Sequence, residues 1–260
     1  IAAANLSRVL GPSDLGQNVD QSRTMAFTVD MLVHGEWLLP RDSAGDPSRK
    51  PPLVNWLAAP LVVAGGWSEW GHKLPSILAG IGAFAVTWFA AARLLPRVAD
   101  QFQGDAAGLA RTAPTAVGAL CAAAWVAAPS SVKHIYFCRP DMLFAAIIAW
   151  GWYAAVRVAD EPSRAARSRW AALMWVLTGC ALLAKGPLAL LVPAYQAIAA
   201  IVRRADHRPP WHAWLWGPAV AFLIFAAWAL PAYQQDPAFF SDVLVGRELL
   251  GRLGRSWLSL

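Results

Sequence analysis

Charge is what this sequence has least of. Asp, Glu, Lys and Arg make up 15% of its 260 residues, where a soluble globular domain carries about 25%. Cysteine is also scarce: Cys121, Cys138 and Cys180 are the three present. No two of them stand at metal-ligand spacing, which excludes a disulfide framework and a Cys-based zinc site. The five His show no HExxH spacing. Neither a GxGxxG nor a P-loop is present, so a nucleotide-binding fold has no support. What the chain has instead is 57% hydrophobic residues, 15 Trp and a formal charge of +6, with a mean hydropathy of +0.41. The Arg residues sit in short links between apolar runs, which excludes nucleic acid as the partner of the basic charge. Trp near the ends of those runs fits a membrane-interface belt.

One polar stretch stands out in the oily chain. Asp20 to Pro52 reads DQSRTMAFTVDMLVHGEWLLPRDSAGDPSRKPP. Met25, Val29, Leu32 and Val33 recur at helical spacing, so Gln21–Leu39 is expected to form a helix in the interface, ended by Pro40. The run LVNWLAAPLVVAGG that Pro51-Pro52 opens is too short to cross a bilayer, which needs roughly 20 apolar residues. It reads as a re-entrant or interfacial helix that stops at Gly65-Gly66. Spanning runs are expected at 74–95, 107–128, 142–158, 170–184, 188–202 and 214–233, the fourth and fifth separated by Lys185-Gly186-Pro187. The fold class is therefore all-α and polytopic. Residues 1–73 form an extracytoplasmic loop with juxtamembrane helices, 74–233 a six-helix transmembrane region, and 234–260 a second outer loop. The links at Arg93/Arg97, Arg157–Arg169 and Arg203–Arg208 are Arg-rich and are assigned to the cytoplasm. Alternation then puts Asp20–Pro52, Asp141 and Lys185 together at the outer face.

Candidate chemistry follows from that convergence. Asp20 caps its helix or acts in an outer cavity. Asp141 follows Arg139-Pro140 and opens an apolar run, where an acid is costly unless capped, paired or used. Lys185 sits in LLAKGPLALL, either snorkelling or lining a cavity at distorted backbone. Lys50 and Arg49 are loop charges or, with Lys185, an anion clamp. His34, Glu36, Trp37 and Trp56 read as interface anchors. Gly80, Gly82, Gly179 and Gly186 read as helix-packing glycines. Cys138 is unconvincing as a ligand or nucleophile.

These residues also carry a resemblance. Asp20-Gln21, Met31, Gly35-Glu36-Trp37-Leu38-Leu39-Pro40, Lys50-Pro51-Pro52-Leu53 and Asn55-Trp56-Leu57 resemble the first outer loop of bacterial glycosyltransferases of the dolichyl-phosphate-mannose–protein mannosyltransferase type, polytopic GT-C-fold enzymes related to the lipid A aminoarabinose transferase. Arg139-Pro140-Asp141, Ala184-Lys185-Gly186-Pro187 and the stretch from Trp228 to Arg252 follow in the same order. The resemblance implies a GT-C-like helical bundle in the bacterial inner membrane, with its active site on the extracytoplasmic face. It implies transfer of a sugar, with inversion, from a polyprenyl-phosphate donor to a lipid, glycan or protein acceptor. Asp20 would be the catalytic base and Asp141 would position the acceptor or a divalent cation. Lys50, Lys185 and Arg49 would hold the donor phosphate, and Trp37, Trp56 and Glu248 would line the substrate cavity. No cofactor is specified, and a divalent cation is compatible with such oxygen ligands. One departure is Gln21, where the family commonly has a second acid. Members of the family run to about twice this length, so the chain is expected to be an N-terminal-half fragment. A transporter or flippase for a lipid-linked or anionic substrate is the alternative, with Lys185 as its mid-helix site.

Overall fold

The computed structural model describes residues 18–99, 104–202, 211–242 and 246. In chain order the helices are α1 (Val19–His34), α2 (Leu53–Ala64), α3 (Glu69–Val98), α4 (Asp105–Thr112), α5 (Pro114–Ala127), α6 (Pro129–Tyr136), α7 (Pro140–Asp160), α8 (Arg164–Lys185), a 3₁₀ turn at Pro187–Leu190, α9 (Leu191–Val202), α10 (Ala213–Gln235) and the single turn α11 (Pro237–Phe239). Among the described residues there is no strand beyond one isolated bridge, Arg41 to Pro47.

Proline decides many of these boundaries. Pro114, Pro129, Pro140, Pro187 and Pro237 all sit in the first turn of the helix they open, where the missing N–H has no partner to lose. Pro114 divides the run expected as one span at 107–128. Its ring disfavours helical backbone at Ala113, so α4 stops there and α5 begins. A further bend of 71° separates α5 from α6. The α1 helix also differs from expectation. It stops at His34, because Gly35 takes a left-handed φ of 76° and its N–H closes onto the Met31 carbonyl. Glycine just past the last turn ends a helix in this way, so Pro40 lies beyond the stop.

Among the described residues three helices, α3, α7 and α10, are long and apolar enough to cross a membrane, or up to four if the bent pair α5–α6 is one span. The runs at 170–184 and 188–202 fall in one long helix and in a shorter, broken one. The first is the apolar part of α8, whose opening turns carry Arg164, Arg167 and Arg169, and the second is the 3₁₀ turn followed by the twelve residues of α9.

Small residues let the helices approach. Ala79 and Ala83 of α3 bury against Met142 and Ala146 of α7. Ala154 and Ala155 of α7 meet Met174 and Trp175 of α8, Val192 of α9 and Ala221 of α10. Such packing holds helices together where lipid gives no hydrophobic drive. Gly80 faces the Ile135 side chain and Gly179 faces Ile224, each too close for a methyl group. Gly186 has nothing within 4 Å of an added Cβ and a φ of +91°; it is there for its backbone conformation, not for packing. Outward-facing Leu78, Ile81, Leu120, Ile198, Leu215 and Phe222 are exposed, which suits lipid and not water.

The two ends of the bundle differ. At one end Asp160, the last residue of α7, pairs with Arg93 at 3.2 Å and Arg97 at 2.7 Å from α3. Arg157 pairs with Glu161 at 2.8 Å and lies over the Trp170 ring, 4.6 Å from its centroid. The other end holds α1, the loop after it, the start of α7 and the end of α8.

Candidate functional site: a charge cluster at one end of the bundle

The loop that follows α1 is braced from within. Asp30 accepts the Arg41 N–H at 2.7 Å and contacts His34 Nδ1 at 2.8 Å. Arg23 pairs with Asp42 at 2.8 Å. Asn55 of α2, buried, donates to the Thr24 carbonyl at 2.7 Å and to Thr28 Oγ1 at 2.9 Å. The Gly35–Pro40 stretch is pinned by three further donors: Trp56 Nε1 to the Trp37 carbonyl at 2.8 Å, Trp228 Nε1 to the Leu38 carbonyl at 3.0 Å, and Gln235 Nε2 to Glu36 Oε2 at 2.7 Å. Indole N–H groups that reach carbonyls across the fold give the loop a fixed path. Glu36 and Trp56 are thus braces between elements, more than membrane anchors. Trp37 is exposed, whereas Trp56 packs against the apolar cluster of Leu39, Leu183, Trp228, Ala229 and Ala232.

Beside this loop five charged side chains come together. Arg139 is the hub. Its Nη2 lies 3.1 Å from Asp20 Oδ2, and its Nε lies 3.0 Å from Asp141 Oδ2. The second contact is an ion pair without hydrogen-bond alignment, since both atoms are buried and lack a hydrogen-bond partner. Asp141 Oδ1 accepts a hydrogen bond from Lys185 Nζ, which also lies 5.8 Å from the Phe144 ring centroid. Lys50 completes the group. The charges of Asp141, Arg139, Lys185 and Asp20 all act on it. Burial is the largest influence on its ammonium and, with Arg139 and Lys185, holds its pKa below the ordinary value of 10.5 against the pull of Asp141 and Asp20.

Local structure explains each placement. Asn18 is the N-cap of α1, with its Oδ1 accepting the Asp20 N–H at 3.0 Å. Asp20 is therefore not the cap, and its carboxylate is free for Arg139. Asp141 does not cap α7 either: no side chain caps that helix, and its carboxylate turns to Lys185 and Arg139. Lys185 ends α8 where Gly186 breaks the helix; it is paired, not snorkelling. Ser48 Oγ donates to the Lys50 carbonyl at 2.9 Å and fixes the loop at that residue. Arg49 is exposed next to it. Glu248 lies outside the described residues. Cys138 is buried, and burial pushes its thiol up to about 12, so it stays protonated and inert.

Two further residues belong to the cluster. Arg139 stands in the Arg139-Pro140-Asp141 motif, and a cation directly before a helix-opening proline on an apolar run is the signal that marks it. Gln21 has no such local signal. It is fully buried, and its Oε1 accepts the Cys138 N–H at 3.1 Å.

With Lys50 protonated, three cations stand against two carboxylates, and the cluster keeps one excess positive charge. It can hold an anion such as a phosphate monoester or diester while presenting a carboxylate to a hydroxyl. Among the described residues no three His, Cys, Asp or Glu side chains gather as a metal site. Asp20 and Asp141 are the cluster's oxygen ligands, and cations already oppose both.

No protein-family model matches the chain, and no curated protein does. Two solved structures do. The ArnT of Cupriavidus metallidurans in the apo state is 22% identical with a TM-score of 0.71, over 94% of this chain and 42% of that one. The same protein bound to undecaprenyl phosphate is 21% identical with a TM-score of 0.68, over 94% and 43%. The chain thus spans less than half of the length of the structures it matches. It is an all-α polytopic membrane bundle with the GT-C-like fold of ArnT.

Proposed function

We propose that the chain belongs to a glycosyltransferase that moves a sugar from a polyprenyl-phosphate donor to an acceptor outside the cytoplasm, with inversion. The observation that carries this is the meeting of Asp20, Lys50, Arg139, Asp141 and Lys185 at one end of the bundle. Undecaprenyl phosphate bound to ArnT supplies the donor class for the same fold.

In this reading the acceptor hydroxyl oxygen forms a bond to the anomeric carbon as the bond from that carbon to the phosphate oxygen breaks. The electron pair leaves with the phosphate, and the hydroxyl proton passes to Asp20. Asp20 suits the base because its carboxylate is the more exposed and has one cationic contact. Its side chain is 55% exposed, against 15% for Asp141. Lys50, Arg139 and Lys185 stabilise the negative charge that grows on the leaving phosphate, which is the part of the reaction that fixed cations assist most. Asp141 sits between Arg139 and Lys185 and sets their spacing; it also positions the acceptor. The prenyl tail lies along the apolar outer faces. The Arg-rich opposite end supports an active site at the extracytoplasmic face of the inner membrane. A lipid, a glycan or a protein hydroxyl fits the acceptor role equally.

The test is transfer of labelled sugar from polyprenyl-phosphate donors by the protein in lipid vesicles. Asp20→Asn is expected to lose transfer by about 10²–10⁴-fold, the usual worth of a positioned base, with donor binding retained. Lys185→Ala is expected to lose donor binding as well. Parent and variants with equal transfer, or no transfer with any donor, would rule the mechanism out.

A further inference from the structure

We propose that Gln21 is a positioning residue that aims Arg139 at Asp20. The inference deepens the proposed transferase site and rests on that reading for its purpose, but its geometry stands alone. Two adjacent rungs connect the dipeptide Asp20-Gln21 with the dipeptide Cys138-Arg139. One is the Arg139 to Asp20 ion pair at 3.1 Å. The other is the hydrogen bond from Cys138 N–H to Gln21 Oε1 at 3.1 Å. The first is partly exposed to water, whereas the second is buried.

The stretch that carries Arg139 is buried at Phe137 and Cys138, and its own backbone supplies one turn bond, from the Arg139 N–H to the Phe137 carbonyl at 2.9 Å. It lies between α6 and α7, and both Phe137 (ψ 136°) and Arg139 (φ −147°, ψ 152°) are extended. It has no helical hydrogen bonds of its own. Two side chains from outside grip it as well. Gln21 of α1 takes the Cys138 N–H, and Ser76 of α3, fully buried, donates to the Arg139 carbonyl at 3.1 Å. The grip sets the direction from which the guanidinium leaves the backbone. A long arginine held at its base loses less freedom when it pairs, so the buried rung stabilises the exposed one.

The choice of an amide has an electrostatic reason. A carboxylate at position 21 would also accept from Cys138, but it would add a third negative charge beside Asp20 and Asp141 and cancel the cluster's single excess positive charge. Gln21 supplies the acceptor without that charge. Its cost is visible, since Gln21 Nε2 is buried without a partner.

The experiment is carboxyl footprinting by mass spectrometry on the intact protein in lipid nanodiscs, with a carbodiimide and an amine as the label. Asp20 is followed in the parent, Gln21→Leu, Gln21→Glu and Arg139→Ala, with Asp30 and Asp160 as internal controls. Gln21→Leu is expected to raise Asp20 labelling several-fold, to the level of Arg139→Ala, with both controls unchanged. Gln21→Glu, which keeps the acceptor, is expected to restore the parent's labelling. Asp20 labelling that stays at the parent's level in Gln21→Leu overturns the proposal. So does a rise at Asp30 and Asp160 alongside it, which would mean general loosening. So does a Gln21→Glu variant that labels like Gln21→Leu. Footprinting needs no turnover, so a failure of the transferase reading shows separately, as a parent that does not transfer sugar in the vesicle assay.

Discussion

Replacing Asp141 by Asn should tighten phosphate binding while it slows transfer. Asp141 Oδ2 lies 3.0 Å from Arg139 Nε. A phosphate oxygen on the far side of that guanidinium, at ordinary hydrogen-bond length, stands about 6 Å from the carboxylate. Two unit charges at about 6 Å repel by about 3 kcal/mol at an effective dielectric near 20. Salt and water at a half-open site reduce that to roughly 1–2 kcal/mol, or about 5–30-fold in affinity. Asn keeps an oxygen for Lys185, so the cations stay in place. The assay is calorimetric titration of undecaprenyl phosphate into parent and variant in the same detergent, followed by sugar transfer in vesicles. Affinity that falls tenfold in Asp141→Asn would refute the reasoning, because Asp141 would then serve the anion and not oppose it.

Two other perturbations test the neighbouring parts. Partial burial beside Arg139 and Lys185 holds the Lys50 pKa below the ordinary 10.5. A depressed value means that the ammonium is complete at low pH and lost as pH rises through it. Phosphate affinity should therefore decline in the alkaline range before an ordinary lysine would titrate, and Lys50→Arg should flatten the decline; identical pH profiles would contradict the assigned role. Gly186 has φ 91° and ψ −149° with open space around it. Gly186→Ala should cost about 1–3 kcal/mol by backbone strain alone, seen as a lower thermal midpoint, and should reduce donor binding by moving Lys185. An unchanged midpoint would show that the backbone relaxes freely there.

The site was more legible in the sequence than the helix boundaries were. Asp141 and Lys185 could be brought to one end because charged links between apolar runs alternate sides, and that rule needs no detail of packing. Asp20 and Lys50 came with them for the same reason. Arg139 was not given a role because its worth is relational: only the turn between α6 and α7 aims it at two carboxylates from different helices. Gln21 was hidden for a similar cause, since a hydrogen bond across 117 residues of chain has no local signature. Boundaries failed where two signals competed. Gly35 ended α1 before Pro40 could, and Pro114 broke a run whose hydropathy alone reads as continuous. The Lys185-Gly186-Pro187 break was plain because cation, glycine and proline all point to the same stop.

The α7 helix is fastened at both tips. At one end Asp141 holds Lys185 of α8 and the N-cap residue Arg139 holds Asp20 of α1, and at the other Asp160 holds Arg93 and Arg97 of α3. Its 21 residues form a rod of about 30 Å, close to the thickness of a bilayer's hydrocarbon core. A rod riveted at each surface resists sliding along its own axis, because any such stroke must break ion pairs at both ends together. The rod is thus a fixed post, tied to α1, α3 and α8, against which the rest of the bundle is set.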